Sequence, residues 1–101
     1  MTYSLTFHPA ALTEYSEARI WYELRRHDLG MQFERVVENK IEEIISNPRA
    51  YSLNKGTYRQ AKIQQFPFVI VFGLNEKKRV IYISAVFHTK RDPRRKYRPI
   101  K

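Results

Sequence analysis

Three side chains near the end of the chain have chemistry that would combine: His88, Arg91 and Tyr97. Cleaving RNA through its own 2′-hydroxyl needs a proton acceptor, a proton donor and a cation for the extra charge on the phosphorus. Histidine, tyrosine and arginine can fill those roles without a metal. Arg91 lies three residues after His88 and six before Tyr97, and a turn at Asp92-Pro93 would fold the tail back and gather all three. The plainer alternative has His88 bonded to a neighbouring loop, Arg91 tying the tail to a helix carboxylate such as Glu14 or Glu17, and Tyr97 simply packed. Spacing alone favours that alternative.

A second group is cationic. Lys55, Arg59 and Lys62 stand on a weakly apolar segment, and Lys90, Arg94, Arg95, Lys96 and Arg98 crowd the tail. On a strand, Arg59 shares a face with Ala61 and Ile63, whereas Lys62 shares the other with Tyr58 and Gln60, so these cations do not form one row. Lysines and arginines on a sheet edge can discourage aggregation without binding anything. In the tail, however, such close like charges repel unless phosphates or carboxylates neutralise them. All eight are candidates for contact with nucleic acid or a target.

The charge distribution sharpens this. The net charge is +9, yet residues 1–75 carry nine basic and eight acidic side chains, and residues 76–101 carry ten basic and two acidic. Segregation of that kind points to an anionic partner. With no cysteine there is neither a disulfide framework nor a thiolate metal site, and His8, His27 and His88 are too scattered for a metal motif. No cofactor is expected. Glycine-rich phosphate loops, nucleophile elbows and paired catalytic carboxylates are missing from the sequence, which argues against kinase, hydrolase and glycosidase chemistry. The absence of a basic-then-apolar leader and of any apolar run near ~20 residues predicts a cytoplasmic protein.

The elements that must position these side chains follow from periodicity. "TYSLTF" alternates and reads as a strand. Pro9 suits the first position of a helix, and Ala11, Tyr15, Ala18 and Tyr22 recur at helical spacing; Trp21 lies off that stripe, exposed or covering a sheet edge. Gly30 is placed to end this helix in a left-handed conformation, making "HDLG" a turn. A second helix from about Met31 to Ser46 carries Phe33, Val37, Ile41 and Ile44 as its stripe and is stopped by "NPRAY". Thereafter the period is that of strands: a weak one near 57–65, then "FVIVF" and "RVIYISAVF" separated by "GLNEKK". The fold class is α+β, in the order β-α-α-β-β-β. An antiparallel sheet carries a helical hairpin on one face and the basic side chains on the other, with the first strand at an edge or beside the last. One domain over 1–101 is expected, with a basic tail from about 89.

The segments "EARIWYELRRHDLGMQF", "IISNPRAY", "YRQAKIQQFPFVIVF" and "ISAVFHTKRDPRRKYR", in that order, resemble the RelE/ParE superfamily of bacterial type II toxins, and most closely its ParE or plasmid-stabilisation branch. The resemblance spans nearly the whole chain. It implies a growth-inhibiting toxin of β-α-α-β-β-β fold, held inactive by a cognate acidic antitoxin. RelE-like members cut messenger RNA on the ribosome, using arginines, lysines and a C-terminal tyrosine; ParE-like members inhibit DNA gyrase. By that resemblance Arg91 and Tyr97 match the RelE-like arginine and tyrosine, Lys55 matches one lysine, and a further catalytic arginine falls at Val69. Losing that cation puts gyrase inhibition ahead of metal-independent mRNA cleavage, with His88 as a partial substitute in the latter. A third possibility is a non-toxic binding module of the same fold.

Overall fold

The computed structural model describes residues 3–90 and Arg98. Strand β1 (Ser4–Phe7) leads directly into α1 (Pro9–Arg25). His8 makes the join: its backbone is extended, and its Nδ1 accepts a hydrogen bond from the Ala10 N–H at 3.0 Å, satisfying one of the orphan donors of the first turn. Pro9 occupies the first turn, as expected. A short turn then reverses the chain into α2 (Leu29–Ser46), which ends at Asn47 and a 3₁₀ turn, Pro48–Ala50.

The second half is a meander of β2 (Leu53–Lys55), β3 (Tyr58–Lys62), β4 (Phe68–Asn75) and β5 (Val80–His88). The sheet order is β1-β5-β4-β3-β2. β4 is central, as its apolar character on both faces predicts. β1 is both an edge strand and the neighbour of the last strand, and pairs with β5 in parallel, whereas the other pairings are antiparallel. The short β2 is a strand beyond the expected order; it pairs with β3 through a tight turn at Gly56, whose φ of 57° suits a residue without a Cβ.

Both helices lie on one face of the sheet. Ala11, Ala18, Phe33, Val37, Ile41 and Ile44 from the helices meet Ala61, Phe68, Ile70, Phe72, Ile81, Ile83 and Val86 from the strands. Phe33 is the hub: its ring lies 5.1–6.0 Å from those of Tyr15, Tyr22, Phe66 and Phe68, in tilted and edge-on arrangements that suit aromatic quadrupoles.

Two expectations are corrected. Gly30 does not end α1 in a left-handed conformation; it is a buried residue of the first turn of α2. A Cβ there would stand 2.8 Å from the Arg19 carbonyl oxygen and 2.9 Å from Glu23 Cβ, so the glycine is what lets α2 start against the backbone of α1. The sheet face away from the helices is not a basic surface at its centre. Val69, Val71, Ala85 and Phe87 form a second buried cluster there, with Tyr58 packed against it.

A β-bulge creates this second cluster. Val71 pairs with Ala85 and Phe72 with Ile83, leaving Ser84 as the extra residue of β5. Before it, Ile81 and Ile83 face the helices; after it, Val86 does so, and Ala85 and Phe87 face away. No helix among the described residues is long and apolar enough to cross a membrane.

Candidate functional site

The bulge falls where β5 loses its neighbour. β1 stops at Phe7, whose partner is Ile83, and the His8 N–H makes the last main-chain bond, to Ile83 O at 2.9 Å. Beyond this point the edge of β5 presents backbone groups that must be satisfied from elsewhere. Glu14, one and a half turns into α1, supplies an acceptor: its Oε1 takes the Val86 N–H at 3.0 Å. Arg98 supplies a donor, its Nη1 reaching Ser84 O at 3.0 Å.

Glu14 and Arg98 also bind each other. Nη1 donates to Oε1 at 3.1 Å and Nη2 to Oε2 at 2.6 Å, the parallel two-bond geometry in which guanidinium and carboxylate match best. Both side chains are 18% exposed. The main chain of Arg98 is held too. Its N–H donates to Ser84 Oγ at 2.9 Å, and its carbonyl accepts from the Tyr58 hydroxyl at 2.7 Å. Since Tyr58 belongs to β3 and Ser84 to β5, this peptide bridges across β4 on the face away from the helices. The Arg98 side chain then passes round the β5 edge to α1.

His88 stands at the end of β5 and pairs with Phe68, a residue of the helix-side core. Its ring packs edge-on against Phe68 with centroids 5.0 Å apart. Its Nδ1 accepts the Lys90 N–H at 3.1 Å, so in the neutral ring the proton sits on Nε2. The imidazole lines an open groove of ≈ 620 Å³ between α1 and the β5 edge, with Glu14, Glu17, Trp21, Tyr22 and Phe68 among the other walls. Trp21 is half exposed, and the Arg25 guanidinium lies 4.0 Å above its ring, a cation–π pair.

The cations are divided between faces. Lys62 pairs with Val69 and lies on the face away from the helices, the same side as Gln60, Tyr58 and Phe87. Arg59 pairs with Phe72 on the helix side, and its Nη1 donates to Tyr51 O at 2.6 Å. Lys55 is exposed on β2, opposite Tyr58. Lys90 is exposed just past β5. Thus His88 and Lys62 face opposite sides of the sheet, and the guanidinium of Arg98, a candidate for target contact, is engaged by Glu14. Val69, where the resemblance puts a catalytic arginine, is 2% exposed inside the second cluster. Arg91, Arg94, Arg95, Lys96 and Tyr97 lie outside the described residues.

The sequence offers Glu14, beside Glu17, as a carboxylate that could tie down the tail, but through Arg91; the structure pairs it with Arg98. Sequence reasoning missed Ser84, because nothing in "YISAVF" marks which residue is the bulge.

The family described as the ParE toxin of type II toxin–antitoxin systems, parDE, matches residues 5–93. The chain belongs to the ParE toxin family. The match runs from β1 through the end of β5 and includes both helices and the bulge. No curated protein matches the chain. Among solved structures, the isolated E. coli RelE toxin is 22% identical, covering 90% of this chain and 88% of that one with a TM-score of 0.66. The toxin–antitoxin complex RelBE of E. coli matches at 23% identity over 88% of this chain and 99% of that one, with a TM-score of 0.67. The chromosomal ParDE system of P. aeruginosa matches at 15% identity, 87% and 97% coverage and a TM-score of 0.64. At these identities the likeness is one of fold: a ParE-family chain on the RelE/ParE scaffold.

Proposed function

We propose that this toxin arrests growth by inhibiting DNA gyrase, and that an acidic antitoxin holds it inactive; its structural relatives RelBE and ParDE are toxin–antitoxin systems. The observation that carries the reading is the placement of His88. A general base for RNA cleavage needs a free ring nitrogen directed at the cationic surface. In the neutral ring of His88 the acceptor nitrogen is occupied by the Lys90 N–H, and the ring faces α1 while Lys62 faces away. The buried Val69 fits the same reading.

The antitoxin proposal draws on charge and on exposed apolar surface. A net charge of +9 favours an acidic partner. Leu12, Ile20, Trp21, Leu24 and Met31 are exposed along the helical hairpin, Leu24 by 82%. An amphipathic helix of the antitoxin would cover such a surface, and its acidic residues would serve the cations of the second half of the chain.

A second reading, ribosome-dependent mRNA cleavage, is favoured by one feature. Lys55, Tyr58, Gln60 and Lys62 share the sheet face across which the Arg98 peptide lies, next in sequence to Tyr97. One induction experiment separates the readings by following DNA-damage signalling and cleavage of messenger RNA in the same cells. Gyrase inhibition predicts early damage signalling with intact transcripts. Cleaved transcripts without damage signalling would establish the second reading instead, and unimpeded growth without the antitoxin would leave a binding module.

A further inference from the structure

We propose that Glu14, Ser84 and Arg98 form a latch that sets the position of the basic tail, so that Glu14 and Ser84, remote from the tail in sequence, are positioning residues for toxicity. The role in toxicity rests on the toxin reading above; the latch itself does not.

Arg98 is engaged through both its main chain and its side chain. Its N–H, its carbonyl and both terminal guanidinium nitrogens have partners, on three separate elements: Tyr58 of β3, Ser84 of β5 and Glu14 of α1. A solvated tail arginine would make none of these bonds. Two of the partners have independent reasons to be where they are. Ser84 is 1% exposed at a bulge that frees it from the alternation of β5, and Glu14 Oε1 also accepts the Val86 N–H, a bond between α1 and β5 that does not involve Arg98. The receptor for Arg98 is therefore built by the fold.

The latch has a consequence for the residues before it. The Thr89 N–H donates to Pro67 O at 2.9 Å, which fixes the chain at the end of β5. Arg98 is held as well, so both Thr89 and Arg98 are anchored. Between them in sequence stand Arg91, Arg94, Arg95, Lys96 and Tyr97. Anchoring both ends removes conformational freedom that binding a target would otherwise have to remove. Glu14 also provides the counter-charge that holds Arg98 at the β5 edge.

Glu14→Gln tests this, because the amide keeps an oxygen for the Val86 N–H but loses the charge that holds Arg98. Arg98→Ala removes the other half without touching α1 or β5. The first measurement is limited trypsin digestion of the full chain, read as cleavage after Arg91, Arg94, Arg95 and Lys96. Both variants should be cut there at least about tenfold faster than the native chain, since cleavage tracks the opened population and one charge-assisted hydrogen bond is of that size. Arg98→Lys should restore protection only in part, because an ammonium cannot span both Glu14 oxygens and Ser84 O. The second measurement is growth arrest on induction, which should weaken in step with lost protection. Native-like protection in both variants would overturn the latch. Lost toxicity with protection intact would overturn the positioning role. A native chain that is protected but harmless would sink the toxin reading and leave the latch supported.

Discussion

At the scale of single residues, Ser84 has the most connected role for its size. Its hydroxyl is buried at the bulge and accepts the Arg98 N–H. We expect Ser84→Ala to cost about 1–3 kcal/mol in urea denaturation, the range for stranding a buried partner, and a loss under ~0.5 kcal/mol would show that the hydroxyl is not needed there. Tyr15 offers a test of a different kind. Burial, and next the charge of Glu38, push its phenol well above the ordinary tyrosine range, and Tyr22 is raised by burial. The unfolded chain then loses those protons at lower pH than the folded one. Stability is therefore fully present below pH 10 and falls as pH rises through and beyond the ordinary tyrosine value. Melting temperatures between pH 8 and 11.5 should decline from about 10 upwards, less steeply in Tyr15→Phe. Identical slopes for native and variant chains would refute the assignment to Tyr15.

At the scale of elements, the helices were legible because their apolar stripes repeat at one period and face one sheet. Phe33, Val37, Ile41 and Ile44 are all buried, as their spacing predicts. Gly30 was not legible. A glycine between two amphipathic segments fits a left-handed helix end and a close helix–helix approach equally well, and only the position of the Arg19 carbonyl decides between them. We expect Gly30→Ala to destabilise by about 1–3 kcal/mol through overpacking, although alanine is the better helix former by ~1 kcal/mol. A stabilised Gly30→Ala protein would show that α1 can give way. The bulge was hidden for another reason. In "VIYISAVF" both faces are apolar, so alternation has no phase to read, and the switch at Ser84 appears only when the register with β4 is known. The same ambiguity led to the expectation of a basic face where Val69, Val71, Ala85 and Phe87 are buried.

At the scale of the whole molecule, sequence and fold agree on the family, while the candidate site was legible only in part. His88 ends the last strand, as the sequence predicts. Its orientation depends on the bulge, because one extra residue exchanges the faces of everything after it. The Glu14–Arg98 pair joins residues 84 positions apart, and no local pattern could have matched them. The helix side of the sheet holds His88 in a groove, and the other side binds the Arg98 peptide across β4. On the reading proposed above, that arrangement serves a surface that docks onto a target. It follows that His88→Ala should leave growth arrest within about twofold of native, less than the 10²–10⁴-fold contribution of a general acid or base.

The most direct test is a supercoiling assay with purified gyrase, relaxed plasmid and ATP, titrated with purified toxin. Supercoiling should fall with toxin concentration, cleaved DNA should accumulate, and Glu14→Gln should shift the titration to higher concentration. Undiminished supercoiling at a large molar excess of folded toxin would contradict gyrase inhibition.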